Sequence, residues 1–260
     1  MDRWKKLVLT VLLIGAVSGC SSIERYTGTW SKVQSTKLLT DVDISHIVIN
    51  ESVQLDETLY RLLYPYKKQL DKEMKQPLTV LLEPLEMKRG TLNSSLANVL
   101  SDQLRSFASA NQRKRINIAI LNKGGIRLPS LSDTVKVGTI YELMPFENTM
   151  VLLPMTGAQI FTLANELAAI GGEAVSGLRF SIKDKKAENI LVGSHPILAD
   201  STYWVVTNNY LVEGGGDMPS LWNNEEAIFT DIKLRDIYMQ AFSKNSQIRP
   251  TDDDRVREEF

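Results

Sequence analysis

Apolar residues recur along this chain with two periods, and the switches between them outline its elements. Asp56 precedes a stretch to about Met74 in which Leu59, Leu62, Leu63, Tyr66 and Leu70 keep helical spacing. Pro65 falls inside that stretch, so a kink or break is expected there. Asn93 or Ser94 opens a second helix with Leu96, Val99, Leu100, Leu104 and Phe107 on one stripe. Thr156 caps a third, whose buried face is Ile160, Leu163 and Leu167 and whose end is Gly171-Gly172. A fourth, over residues 231–243, turns Leu234, Ile237, Tyr238 and Phe242 inward. Short apolar runs at residues 43–49, 78–85, 116–121, 177–182, 190–192, 203–207 and 227–230 read as strands. Helices mixed with consecutive strands predict an α/β or α+β sheet protein, and no internal repeat or second domain is visible. Residues 246–260 form a charged tail expected to be disordered.

The first residues are of another kind. Arg3, Lys5 and Lys6 precede an apolar run at residues 7–17, placed like the core of a signal peptide. It ends Val17-Ser18-Gly19-Cys20, which resembles the bacterial lipoprotein signal box. That resemblance implies removal of residues 1–19, lipidation of Cys20, a tether over residues 20–43, and a folded domain over 44–245. Several acyl chains anchor a protein stably where one would not. Ser21 rather than Asp follows the cysteine, which by the rule of that class implies the outer membrane, facing the periplasm. With its single cysteine acylated, the chain has no thiol left for a disulfide, a metal or nucleophilic chemistry.

The composition, 43% hydrophobic and 23% charged over 260 residues, supports one sizeable core. A net charge of −1 with both signs interspersed argues against a nucleic-acid polymer as partner.

Candidate chemistry concentrates between Asn122 and Gly157. A strand ends in Asn122-Lys123-Gly124-Gly125-Ile126-Arg127, where paired glycines let backbone amides approach a ligand and a guanidinium fork suits carboxylate or phosphate. Phe146 and Asn148 then share a turn between two apolar runs, an aromatic platform beside a hydrogen-bonding amide. Further on come Thr207-Asn208-Asn209-Tyr210 and Gly214-Gly215-Gly216-Asp217.

In this order the motifs resemble the C-terminal domain of the 5'-nucleotidases over about residues 44–245. The resemblance implies a mixed-sheet, layered α/β/β/α domain that binds nucleoside or nucleotide while a separate N-terminal domain holds two metals and hydrolyses the phosphate. It implies substrate contacts from Asn122, Gly124, Gly125 and Arg127, with Phe146 and Tyr210 flanking the base. Asn148 would lie at the base edge and Asp217 at the ribose. Three departures stand out. Lys123 replaces a glycine; the Gly-Gly-Asp-Gly loop reads Gly214-Gly215-Gly216-Asp217; and Glu147 brings a negative charge between Phe146 and Asn148. No metal-ligand run accompanies the two histidines, His46 and His195. No catalytic residue or cofactor is therefore assigned to this chain. The expected role is the nucleotide-recognition half of a split 5'-nucleotidase working with a separate metallophosphoesterase chain. The alternatives are a stand-alone nucleoside-binding lipoprotein and a degenerate envelope interaction module.

Overall fold

The computed structural model describes residue 50 and residues 53–88, 90–222, 224–244, 248–251 and 253–259. The signal, Cys20, the tether, His46 and the strand expected at 43–49 lie outside the described residues. Two units are distinguished, 1–56 and 57–260. In the first, the Val53 amide donates to the Asn50 carbonyl at 3.1 Å. The second carries the elements that follow.

In chain order these are α1 (Glu57–Met74), β1 (Pro77–Val80), β2 (Leu85–Glu86), α2 (Ser95–Asn111) and β3 (Ile118–Leu121). Next come β4 (Ser130–Leu131), β5 (Thr134–Lys136), α3 (Val137–Leu143), β6 (Thr149–Thr156) and α4 (Gly157–Ala169). After them run β7 (Ala174–Ser176), β8 (Leu178–Lys183), β9 (Lys186–Val192), β10 (His195–Pro196), β11 (Thr202–Asn208) and α5 (Asn209–Val212). The last are β12 (Ile228–Lys233), α6 (Leu234–Lys244) and β13 (Val256–Glu258).

A five-stranded mixed sheet, ordered β12-β6-β11-β3-β7, divides two cores. On one face α2, α3 and α6 close over Leu100, Leu104, Ala119, Leu121, Met150, Tyr238 and Phe242. On the other, Ile160, Leu163 and Leu167 of α4 meet Ile118, Ile120, Val151, Leu153, Phe180 and Ile182. A second sheet, β10-β9-β8-β13, contributes to that core. Burial from both sides explains why β3 and the middle of β6 are apolar without alternation. The mixed α/β class expected from the sequence is what is found.

Local chemistry sets the element ends. Thr156 Oγ1 accepts from the Gln159 amide at 3.3 Å while Gln159 Oε1 accepts from the Thr156 amide at 2.7 Å, a reciprocal cap that starts α4. Gly177, at φ +75°, turns the chain from β7 into the second sheet, and a Cβ there would lie 2.0 Å from the Asn117 carbonyl oxygen. Only glycine fits that corner.

Three expectations change. The apolar run at 78–85 is divided into β1 and β2, each paired in its own two-stranded sheet. α1 runs unbroken through Pro65, and its stripe is exposed: Leu62 is 64% and Tyr66 72% accessible. The third change concerns the charged tail. Within it β13 pairs in parallel with β8, Val256 opposite Phe180, and Arg255 is buried. Its guanidinium is held by Asp102 at 2.9 and 3.0 Å and by Asp253 at 2.7 Å. Carboxylates on either side offset the desolvation of the cation, so a segment that reads as solvated is ordered over 253–259.

Candidate functional site

Two strand ends and one turn build the site. β11 runs parallel to β3 with Val206 opposite Ala119, so Asn208 arrives beside the Asn122 loop. Asn208 Nδ2 donates to Asn122 Oδ1 at 3.0 Å, and Asn208 Oδ1 caps α5 by accepting from the Leu211 amide at 3.0 Å. β11 also runs antiparallel to β6 with Asn208 opposite Met150, which places the Phe146–Asn148 turn next to Asn209 and Tyr210. Asn209 Oδ1 accepts from the Thr149 amide at 2.9 Å and fastens turn to helix. Sheet register thus brings together loops far apart in sequence.

Within that frame Arg127 and Phe146 adjoin. The Arg127 guanidinium carbon lies 5.9 Å from the Phe146 ring centroid, and Nη1 donates to the Gly124 carbonyl at 3.3 Å. Arg127 and Gly124 are exposed, whereas Gly125 is buried over the Asn122 side chain. Phe146 is 48% exposed and Tyr210 46%, so each ring presents an accessible face. Among the described residues the two rings make no contact with each other.

Tyr210 and Asp217 line one open cleft of about 690 Å³ together with Glu213, the three glycines and Trp222. Gly215 lies against the tyrosine: a Cβ there would come within 2.5 Å of its ring, and the Gly215 amide donates to the Tyr210 carbonyl at 2.8 Å. Trp222, whose Nε1 donates to the Gly215 carbonyl at 3.4 Å, was not anticipated from the sequence. Asn148 is half-buried at the turn, its carbonyl accepting from the Leu234 amide at 2.9 Å.

Glu147 does not stand as a free negative charge. Lys233 Nζ lies 2.5 Å from its carboxylate and Arg235 pairs with the other oxygen, and these hydrogen bonds hold the carboxyl below the usual range. Arg235 is buried, sits 4.2 Å over the Tyr141 ring and donates to the Phe146 carbonyl at 3.4 Å. It therefore fixes the turn that presents Phe146, from an element 88 residues downstream of Glu147. Nothing local in the sequence marks that role.

Lys123 has a structural explanation. Its ammonium reaches the carbonyls of Thr91 (3.1 Å), Leu92 (3.1 Å) and Gly172 (3.3 Å), and its amide donates to Glu173 Oε2 at 2.5 Å. Burial lowers the Lys123 pKa and raises that of Glu173. Among the described residues no group of three or more His, Cys, Asp or Glu side chains is placed to hold a metal ion.

The family described as "5'-nucleotidase, C-terminal domain" matches residues 79–222. A 5'-nucleotidase of Vibrio vulnificus is 22% identical over 82% of this chain and 39% of its own length. A trifunctional nucleotide phosphoesterase protein of Bacillus subtilis is 29% identical over 65% of this chain and 13% of its own. Among solved structures, a 5'-nucleotidase precursor from Thermus thermophilus superposes with a TM-score of 0.65 at 22% identity, covering 78% of this chain and 43% of that one. A Haemophilus influenzae NAD nucleotidase gives 0.60 at 19% identity, covering 80% and 43%. The chain spans well under half the length of these relatives.

Proposed function

The chain belongs to the 5'-nucleotidase C-terminal domain family, and from that premise we propose that it is the nucleotide-recognition half of a split 5'-nucleotidase. The carrying observation is a half-exposed Phe146 with an adjoining guanidinium, and a half-exposed Tyr210 in an open Gly-Asp cleft, on segments fastened to each other through Thr149 and Asn209. A flat base offers two faces, and rings on neighbouring loops suit stacking. Arg127, exposed beside Phe146, suits a phosphate. Asn148 serves the base edge. Asn122 Oδ1 accepts from Asn208, which holds the loop and leaves Nδ2 as the donor for a polar edge of the ligand.

Asp217, in the same cleft as Tyr210, takes the ribose hydroxyls, and Gly124 and Gly125 let the loop backbone approach the ligand. The two-metal hydrolysis belongs to a separate metallophosphoesterase chain, which would supply what the longer relatives carry in one polypeptide. Lipidation at Cys20 would hold this half at the outer membrane, facing the periplasm.

Calorimetric titration of adenosine and AMP into the mature, unlipidated chain tests the reading. Base stacking is worth about 1–3 kcal/mol, so Phe146→Ala should weaken both ligands roughly 5- to 150-fold. Arg127→Ala should weaken AMP more than adenosine, and Tyr210→Phe should change little. Thermal melts confirm that the variants stay folded. A wild-type chain that takes up no nucleoside at millimolar concentration would leave the interaction module as the better account.

A further inference from the structure

We infer that the opposite pole of the central sheet carries a second anion site, built for a phosphate group either free or at the end of a small ester. The candidate nucleotide site lies past the C-terminal ends of the parallel strands β3 and β11. Ile116 and Asn117, just before β3, and Tyr203, at the start of β11, lie at the other end. There a cleft of about 280 Å³ is lined by Arg105, Arg115, Asn117, Ser194, His195 and Tyr203 among others, and no carboxylate lines it.

A neighbouring cleft of about 580 Å³ shares Arg105, Gly193 and Ser194 with it and shows what spent charge looks like. Arg255 there is taken up by Asp102 and Asp253, and Arg179 by Asp253 at 2.9 Å. Arg105 differs. Among the described residues it enters no ion pair, and its Nε donates to Ser176 Oγ at 2.8 Å. The Ser176 hydroxyl in turn donates to Asp102 Oδ1 at 2.5 Å. The guanidinium is thus oriented through its inner nitrogen while its two terminal nitrogens remain for a ligand, the fork that binds phosphate in bidentate fashion.

Charge at this pole is concentrated by the loop between α2 and β3, which reads Arg113-Lys114-Arg115. Lys114 Nζ lies 3.5 Å over the Trp204 ring, which keeps its charge close to the sheet end. A cleft walled by cations without acids focuses potential on a small anion. It offers no pair of exposed rings, so a base is not what it selects. The inference is independent of the nucleotide role assigned to the other pole.

The test is titration of inorganic phosphate into the mature chain at constant ionic strength, with glycerol 3-phosphate in a parallel arm. Saturable binding is expected. Arg115→Ala, an exposed change that spares the fold, should weaken it roughly tenfold, the loss of one charge-assisted contact. Arg105→Gln should weaken it further, and Arg127→Ala should leave it unchanged. Tighter binding of glycerol 3-phosphate identifies an ester as the ligand, and equal binding identifies the free ion; both support the site. Absence of saturation at the highest soluble phosphate concentration overturns it. So does binding that survives both Arg105→Gln and Arg115→Ala, or that disappears with Arg127→Ala alone.

Discussion

Lys123 shows how one side chain can stand in for flexibility. A glycine at this position would leave the loop free, whereas the lysine ammonium ties it to three carbonyls from two other segments. Removing the ammonium strands the partly buried Leu92 and Gly172 carbonyls, and a buried unsatisfied polar group costs about 1–3 kcal/mol. Lys123→Met should therefore lower stability in urea by about that much. Part of the loss should return when Glu173→Gln is added, because the buried carboxylate then no longer lacks its cation. Additive losses in the double variant would mean that lysine and glutamate act separately. Glu147 makes a related point about charge: from the sequence it reads as a carboxylate facing a phosphate, and in the fold two cations offset it.

At the scale of elements, β13 and the residue before it carry the sharpest expectation. Arg255→Met leaves Asp102 and Asp253 without their shared cation. Breaking a buried pair costs about 3–5 kcal/mol, and the partial exposure of both carboxylates brings the expected loss nearer 2 kcal/mol. Its pH dependence has a definite sign. Burial alone would raise the Asp253 carboxyl, but the hydrogen bond and charge of Arg255, with the Arg179 charge, hold it below 3.8. The stabilisation is then complete above that ordinary value and lost as pH falls through the lowered one. Acid titration of the melting temperature should show this limb in the wild type and a shallower one in the variant. This pair also marks where sequence reading stops. α2, α4 and α6 were legible because a 3.6-residue apolar period is a local signal. The Asn122, Phe146 and Tyr210 motifs were visible as residue types on loops. β13 was not, because a short charged segment becomes a strand only through pairing with a distant one, here β8, where Phe180 lies opposite Val256. The burial of Arg235, and so the anchoring of Phe146, was hidden for the same reason.

For the whole molecule, the proposed anchoring at Cys20 predicts that Cys20→Ala leaves the protein unprocessed or released from membranes. Recovery of a mature chain with an unmodified Cys20 by mass spectrometry would refute the anchor. The clamp between Asp102 and Arg255 has a consequence in time as well as in space. A ribosome completes α2 long before it reaches the arginine, so the helix waits through 153 residues of further synthesis with its aspartate unmatched. Closure of loops that long is slow. In that order of events the clamp closes only after nearly the whole chain has been made.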